Sequence, residues 1–81
     1  MDNVKVLGSG CAKCRTLETR TGEALAGLGI AVPIEKVTDY ADIASWGVVS
    51  TPALVVDDQV VLAGRVPTVE QLSVLLQGAR L

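Results

Sequence analysis

Val4-Lys5-Val6-Leu7-Gly8-Ser9-Gly10-Cys11-Ala12-Lys13-Cys14 is the stretch that decides the fold. A short apolar run, a glycine-rich turn and a C-x-x-C read as a strand that turns directly into a helix. Cys11 then stands at the helix N-terminus. There the unpaired backbone N–H groups and the helix dipole favour negative charge and stabilise a thiolate. Cys14 follows one turn later, close enough to close a disulfide with it. No other cysteine occurs in the chain. Together they are the minimum equipment for reversible thiol–disulfide exchange.

Composition narrows the setting. The 81 residues predict one domain, residues 1–81, with no room for a second. Hydrophobic residues make up 49% of the chain, yet the only aromatics are Tyr40 and Trp46, so the core must come from Val, Leu, Ile and Ala. Seven basic and nine acidic residues leave a net charge of −2, with no basic cluster or acidic tail. That balance argues against nucleic acid or a membrane surface as partner. No apolar run approaches the roughly 18–20 residues of a membrane span, and Met1-Asp2-Asn3 leads into a strand rather than a signal peptide. The expected protein is a cytoplasmic monomer. In that reducing compartment a C-x-x-C pair points to redox or metal chemistry rather than to a structural staple.

Beyond the motif, residues 12–28 place Cys14, Leu17, Thr21, Ala24, Leu25 and Leu28 at three- and four-residue steps, the pattern of an amphipathic helix with one buried face. Gly27 and Gly29 are candidate stops, and Gly22 weakens the helix by about 1 kcal/mol relative to Ala. Residues 31–37 read as a second strand, assigned to a sheet edge because Pro33 cannot donate to a ladder. Thr38 or Asp39 caps a short helix ended by Gly47. Residues 53–56 and 60–63 form a hairpin around Asp57-Asp58-Gln59, a turn without the usual glycine. Thr68 and Gln71 make a capping box for a last helix with Val69, Leu72, Leu75 and Leu76 on its apolar face. The order βαβαββα predicts an α/β fold: a mixed four-stranded sheet with helices on both faces. A right-handed crossover would set strands one and two parallel and adjacent.

Four segments in this order resemble a known family: Gly10-Cys11-x-x-Cys14, Lys36-Val37-Thr38-Asp39, the run from Gly47 through Thr51-Pro52 to Leu54, and Ala63-Gly64-Arg65-Val66-Pro67. They are similar to the thioredoxin-like fold, and most of all to the small prokaryotic thioredoxin-like proteins called redox-active disulfide proteins. The resemblance implies a cis Pro52 facing the disulfide, with Thr51 presenting backbone groups to a bound substrate. It implies no cofactor. Independently of it, a proline just before a strand is well placed, because its missing N–H is harmless there. The chain also departs from relatives. Cys11-Ala12-Lys13-Cys14 is not the Trp-Cys-Gly-Pro-Cys of true thioredoxins, and the first strand offers Lys5 where thioredoxins bury a carboxylate. The glutathione-binding Gly-Gly and acidic cluster of glutaredoxins is not matched around Gly64-Arg65.

The chemistry expected is attack by Cys11 on a protein or small-molecule disulfide, followed by attack of Cys14 on the mixed disulfide. A reductase that the sequence does not identify would recharge the pair. Lys13 would lower the Cys11 pKa if its ammonium folds back, although such a lysine more often points to water. The rival reading is a module that carries a soft metal or metalloid on the same two thiolates. Such domains run βαββαβ and have no use for Thr51-Pro52. A structural zinc site is weaker still, since zinc takes four ligands and the chain has no histidine. Other candidates reduce to structure: Trp46 packs the short helix on the sheet, Asp39 caps it, and Asp57 and Asp58 are solvated turn residues. The place of Gly64 in the family-like pattern implies that it lets the chain pass near the active-site loop, the alternative being that it simply ends a strand. Arg65 is an exposed arginine with an anionic substrate group as its functional alternative.

Overall fold

A computed structural model of the chain describes residues 3–9 and 12–80; of Ala79 and Arg80 the backbone alone is described. Gly10 and Cys11 lie outside the described residues. The elements run β1 (Val4–Leu7), α1 (Ala12–Gly27), β2 (Ile34–Val37), α2 (Tyr40–Ser45), β3 (Ala53–Val56), β4 (Gln59–Ala63) and α3 (Val69–Arg80), which is the expected βαβαββα. They build one four-stranded sheet in the order β2-β1-β3-β4. β1 pairs in parallel with β2, Val4 opposite Ile34 and Leu7 opposite Val37. On its other side β1 pairs antiparallel with β3, Leu7 opposite Ala53. β2 therefore takes an edge, as expected. The stated reason fails, however, because Pro33 precedes the strand rather than lying in it.

The alternation of side chains along the strands separates two cores. Val4 and Val6 of β1, Leu54 and Val56 of β3 and Leu62 of β4 join Leu17, Ala24 and Leu25 of α1 and Leu72 and Leu76 of α3. On the opposite face Leu7, Ala53 and Val55 meet Ile43 of α2, with Val37, Trp46 and Val48 packed around them. β3 is consequently buried at all four positions, as a central strand covered on both faces must be. The α2 face is the thinner of the two. Lys5, which alternates with Val4 and Val6 and so lies on the α2 face, reaches under Trp46 with its Nζ 5.0 Å from the ring centroid, and pairs with Glu35 at 3.6 Å.

Local signals in the sequence account for the helix ends. The buried face of α1 is Cys14, Leu17, Thr21, Ala24 and Leu25, the predicted stripe. The helix stops where Ile30 N–H bonds to Leu25 O and Gly29, at φ +72°, bonds to Ala26 O, the Schellman pattern. Asp39 caps α2 by accepting from the N–H groups of Ala41 and Asp42. Thr68 and Gln71 form the reciprocal capping box: Thr68 N–H donates to Gln71 Oε1 at 3.0 Å, and Gln71 N–H to Thr68 Oγ1 at 3.2 Å. The β3–β4 turn is tighter than expected. Gln59 belongs to β4, leaving Asp57 and Asp58 alone at the turn with φ of +50° and +65°. Positive φ at both central residues is the pattern of a type I′ hairpin turn. Among the described residues no helix is long and apolar enough to cross a membrane.

Candidate active site

The parallel pair β1–β2 ends at Leu7 and Val37, and the chain leaves β1 through Gly8 and Ser9 to reach α1. Gly8 N–H extends the ladder by one rung, donating to Val37 O at 2.9 Å. That rung holds the turn against the sheet just where α1 begins. Cys14 lies on the inward face of α1's first turn and is 5% exposed. Its position explains Gly8: a Cβ there would overlap Cys14 Sγ, and would stand 3.2 Å from Cys14 Cβ and 3.9 Å from Thr51 Cβ. The bare backbone of Gly8 is thus the floor on which the second cysteine and the Thr51 loop converge. The sequence showed a glycine-rich turn. Which glycine a sulfur would rest on depends on tertiary approach and was missed.

The Thr51-Pro52 bond is cis, with Pro52 buried and Thr51 exposed. A second glycine fixes this loop. Gly64 N–H donates to Pro52 O at 2.8 Å, and Gly64 adopts φ +79° with Ser50 Cβ 3.0 Å from where its own Cβ would stand. A side chain at 64 would therefore meet both an unfavourable backbone and a crowded neighbour. The first, third and fourth family-like segments thus meet at one end of the sheet. Cys11, the expected attacking thiol, falls outside the described residues, one position before α1 starts.

The second segment contributes as well, in a way the sequence did not reveal. A cavity of about 270 Å³ opens between α1 and the β1–β2 edge, lined by Gly8 and Cys14 together with Arg15, Glu18, Lys36 and Thr38. Glu18, one helical turn beyond Cys14, supplies the only carboxylate of that lining, and Lys36 Nζ holds its Oε2 at 3.6 Å across the cavity. A space of this size accommodates several waters at roughly 30 Å³ each. Cys14 and a carboxylate therefore share one wettable pocket.

Lys13 and Arg65 are both exposed, and with Arg20 they line a separate concavity of about 280 Å³ beside Gly64. Tyr40, also missed, is 74% exposed and its hydroxyl lies 3.5 Å from Ser9 Oγ, while Val49 is fully exposed in the loop before Thr51. Trp46 instead packs into the smaller core. Among the described residues no group of three or more His, Cys, Asp or Glu side chains is placed to hold a metal ion.

The family model described as thioredoxin domain matches residues 2–77. The chain is 39% identical to a thioredoxin of Methanocaldococcus jannaschii over 69 residues, 85% of this chain and 79% of the relative. It is 34% identical to a thioredoxin of Methanothermobacter thermautotrophicus over 76 residues, 94% of this chain and 99% of that protein. With matches running along nearly all of the sequence, the chain belongs to the thioredoxin domain family and is a thiol–disulfide oxidoreductase.

Proposed function

We propose that Cys11 and Cys14 are the exchanging pair, with Cys11 attacking the disulfide of a protein or small-molecule substrate. The observation that carries this reading is the placement of Cys14. It sits buried against the bare backbone of Gly8, which Thr51, next to the cis Pro52, also approaches, in the first turn of α1. Attack by the Cys11 thiolate breaks the substrate S–S bond, forms a mixed disulfide and releases the first substrate thiolate. Thr51 and Pro52 line the substrate's side of that bond, with the Thr51 backbone available to an extended segment. Cys14 then attacks the Cys11 sulfur, the Cys11–Cys14 disulfide closes, and the second substrate sulfur leaves as a thiolate. The oxidised pair is returned to the dithiol by a reductase.

The second step requires Cys14 to lose its proton, and Glu18 is placed to receive it through water in the shared cavity. The charged groups facing Cys14 there are Arg15, Glu18 and Lys36. Lys36 is a positioning residue: its ion pair turns the Glu18 carboxylate across the cavity. The proton accepted by Glu18 passes to the departing substrate thiolate, so the cycle closes without a net change at the carboxylate. Lys13, exposed in the first turn of α1, adds positive charge near the thiolate. The proposed setting is the cytoplasm, where the reducing environment keeps such a pair available for exchange, and the protein acts as a monomer.

Trapping tests this reading. Reduced Cys14→Ser mixed with a disulfide-containing protein should accumulate a covalent adduct that dithiothreitol releases, whereas Cys11→Ser should form none and show no turnover. Full reductase activity in Cys11→Ser would overturn it.

A further inference from the structure

The concavity beside the active-site end of α1 has a one-sided electrostatic character. Lys13, Arg20 and Arg65 line it together with Thr16, Gly64 and Val66, and no carboxylate does. This runs against the net charge of −2 of the whole chain. Of the cations outside it, Lys5 and Lys36 are paired with Glu35 and Glu18, whereas Lys13 and Arg65, like Arg15 further along α1, form no ion pair among the described residues. Arg20 is anchored, with Nη1 donating to Pro67 O at 3.1 Å, which fixes its guanidinium at the wall of the concavity. Glu23 lines the neighbouring hollow along α1 that Arg15 and Arg20 also border.

Placement ties the concavity to the reaction. Lys13 lies between the two cysteines in sequence, and Arg65 follows Gly64, whose N–H holds the Pro52 carbonyl. Gly64 both holds the Pro52 carbonyl and lines the concavity, so a chain bound along Thr51-Pro52 has these cations beside it.

We propose, on the basis of the exchange reading above, that this site selects peptide disulfides whose flanking residues carry carboxylates, the acidic side chains entering the Lys13–Arg20–Arg65 concavity. The same positive field raises the encounter rate of such substrates and discriminates against lysine-flanked ones. Each exposed ion pair contributes at most a few-fold in affinity. Three cations acting together therefore give a preference of about tenfold or more between acidic and basic flanks at low salt.

The test uses one disulfide peptide made in three versions, flanked by Glu, Gln or Lys, and measures kcat/KM for reduction with dithiothreitol as terminal reductant. A carboxylated small disulfide, 3,3′-dithiodipropionate, and the uncharged 2-hydroxyethyl disulfide separate a requirement for peptide from a requirement for carboxylate alone. The expected order is Glu over Gln over Lys, converging as salt rises to 1 M, where the screening length falls to about 3 Å. Lys13→Gln with Arg65→Gln should collapse the Glu-to-Lys ratio toward one, while Lys36→Gln keeps it. A larger carboxylate preference in the small disulfides than in the peptides would overturn the peptide assignment. Equal rates for all three peptides, or an undiminished ratio in the double variant, would overturn the proposal while leaving the exchange reading intact. Absence of turnover with every disulfide would overturn both.

Discussion

At the end of the sheet where β3 turns into β4, polar groups satisfy one another. Asp57 N–H donates to Asn3 O, Asn3 N–H donates to Asp57 Oδ1, and Asp58 N–H donates to Asn3 Oδ1. At the opposite end, where β1 stops and β3 starts, the chain instead leaves space. Gly8 makes room for a sulfur and Gly64 for the Ser50 side chain, while Tyr40, Val49 and Thr51 face outward. One end spends its polar groups internally, and the other keeps side chains and a wettable cavity available for a second molecule. The same strands run between them, so the difference lies in the loops alone. This matches the general rule that a rigid scaffold carries function on its connections.

The largest effect that could break the comparison is at the open end. Cys11→Ser should abolish insulin-type disulfide reduction followed by turbidity, while its thermal unfolding stays within a few degrees of the unaltered protein. A melting temperature lowered by more than about 10 °C would place Cys11 among the structural rather than the reacting residues, since roughly 1 kcal/mol shifts a domain of this size by about 4–8 °C.

Next comes the proton acceptor. Glu18→Gln should slow turnover by about 100-fold near neutral pH, the low end of general-base contributions. The loss should shrink at strongly alkaline pH, where hydroxide takes the Cys14 proton in place of the carboxylate. The mixed disulfide should accumulate in this variant, because resolution and not the first attack is slowed, and Glu18→Asp should restore part of the rate. An unaltered pH profile would remove Glu18 from the mechanism. A uniform loss at every pH without adduct would make it a structural residue.

Gly8→Ala sharpens the contrast between space left open and space filled. The added methyl would collide with Cys14 Sγ, and the floor cannot retreat because Gly8 N–H is held by Val37 O. Overpacking of this kind costs about 1–3 kcal/mol, and a displaced Cys14 sulfur should slow ring closure by about tenfold or more. Denaturant titration and the rate of mixed-disulfide resolution measure the two separately. Ordinary resolution with ordinary stability would show that Gly8 is a turn residue only.

These residues also mark how far the sequence could be read. Periodicity exposed the buried stripe of α1 because a helix face is a local property, and the Thr68–Gln71 box was legible because its partners lie three residues apart. The four segments, met in order, pointed to the family and to Thr51-Pro52. What stayed hidden was nonlocal. Nothing near Gly8 announces that a sulfur from α1 rests on it. Nothing in the sequence links Glu18 to Lys36; only the packing of α1 beside the parallel β1–β2 pair sets them across one cavity. Pro33 pointed to an edge strand, yet the edge position arises from strand order, since the strand starts one residue later. Tyr40 was read as composition only, because its proximity to Ser9 requires α2 to be docked.

The Asp57-Asp58 turn yields the smallest prediction and a direct test of the closed end. Both residues adopt positive φ, a region where a side chain is disfavoured and where Asp tolerates the strain better than most. Three hydrogen bonds with Asn3 hold the turn, and two of them use backbone groups of Asn3. Asp58 enters this clasp only through its N–H, so its carboxylate can be removed without opening it. Asp58→Gly therefore relieves the φ of +65° while keeping every bond, and it creates the Asp-Gly pair that two-residue hairpin turns favour. Against this, glycine loosens the unfolded chain. The balance should be a gain of about 0.5 kcal/mol in chemical denaturation, with reductase activity unchanged because the turn lies at the far end of the sheet from Cys14. A loss of stability would mean that the Asp58 side chain contributes to the clasp. A change in activity at constant stability would mean that the two ends communicate through β3, and the separation of a closed end from an open one would then fail.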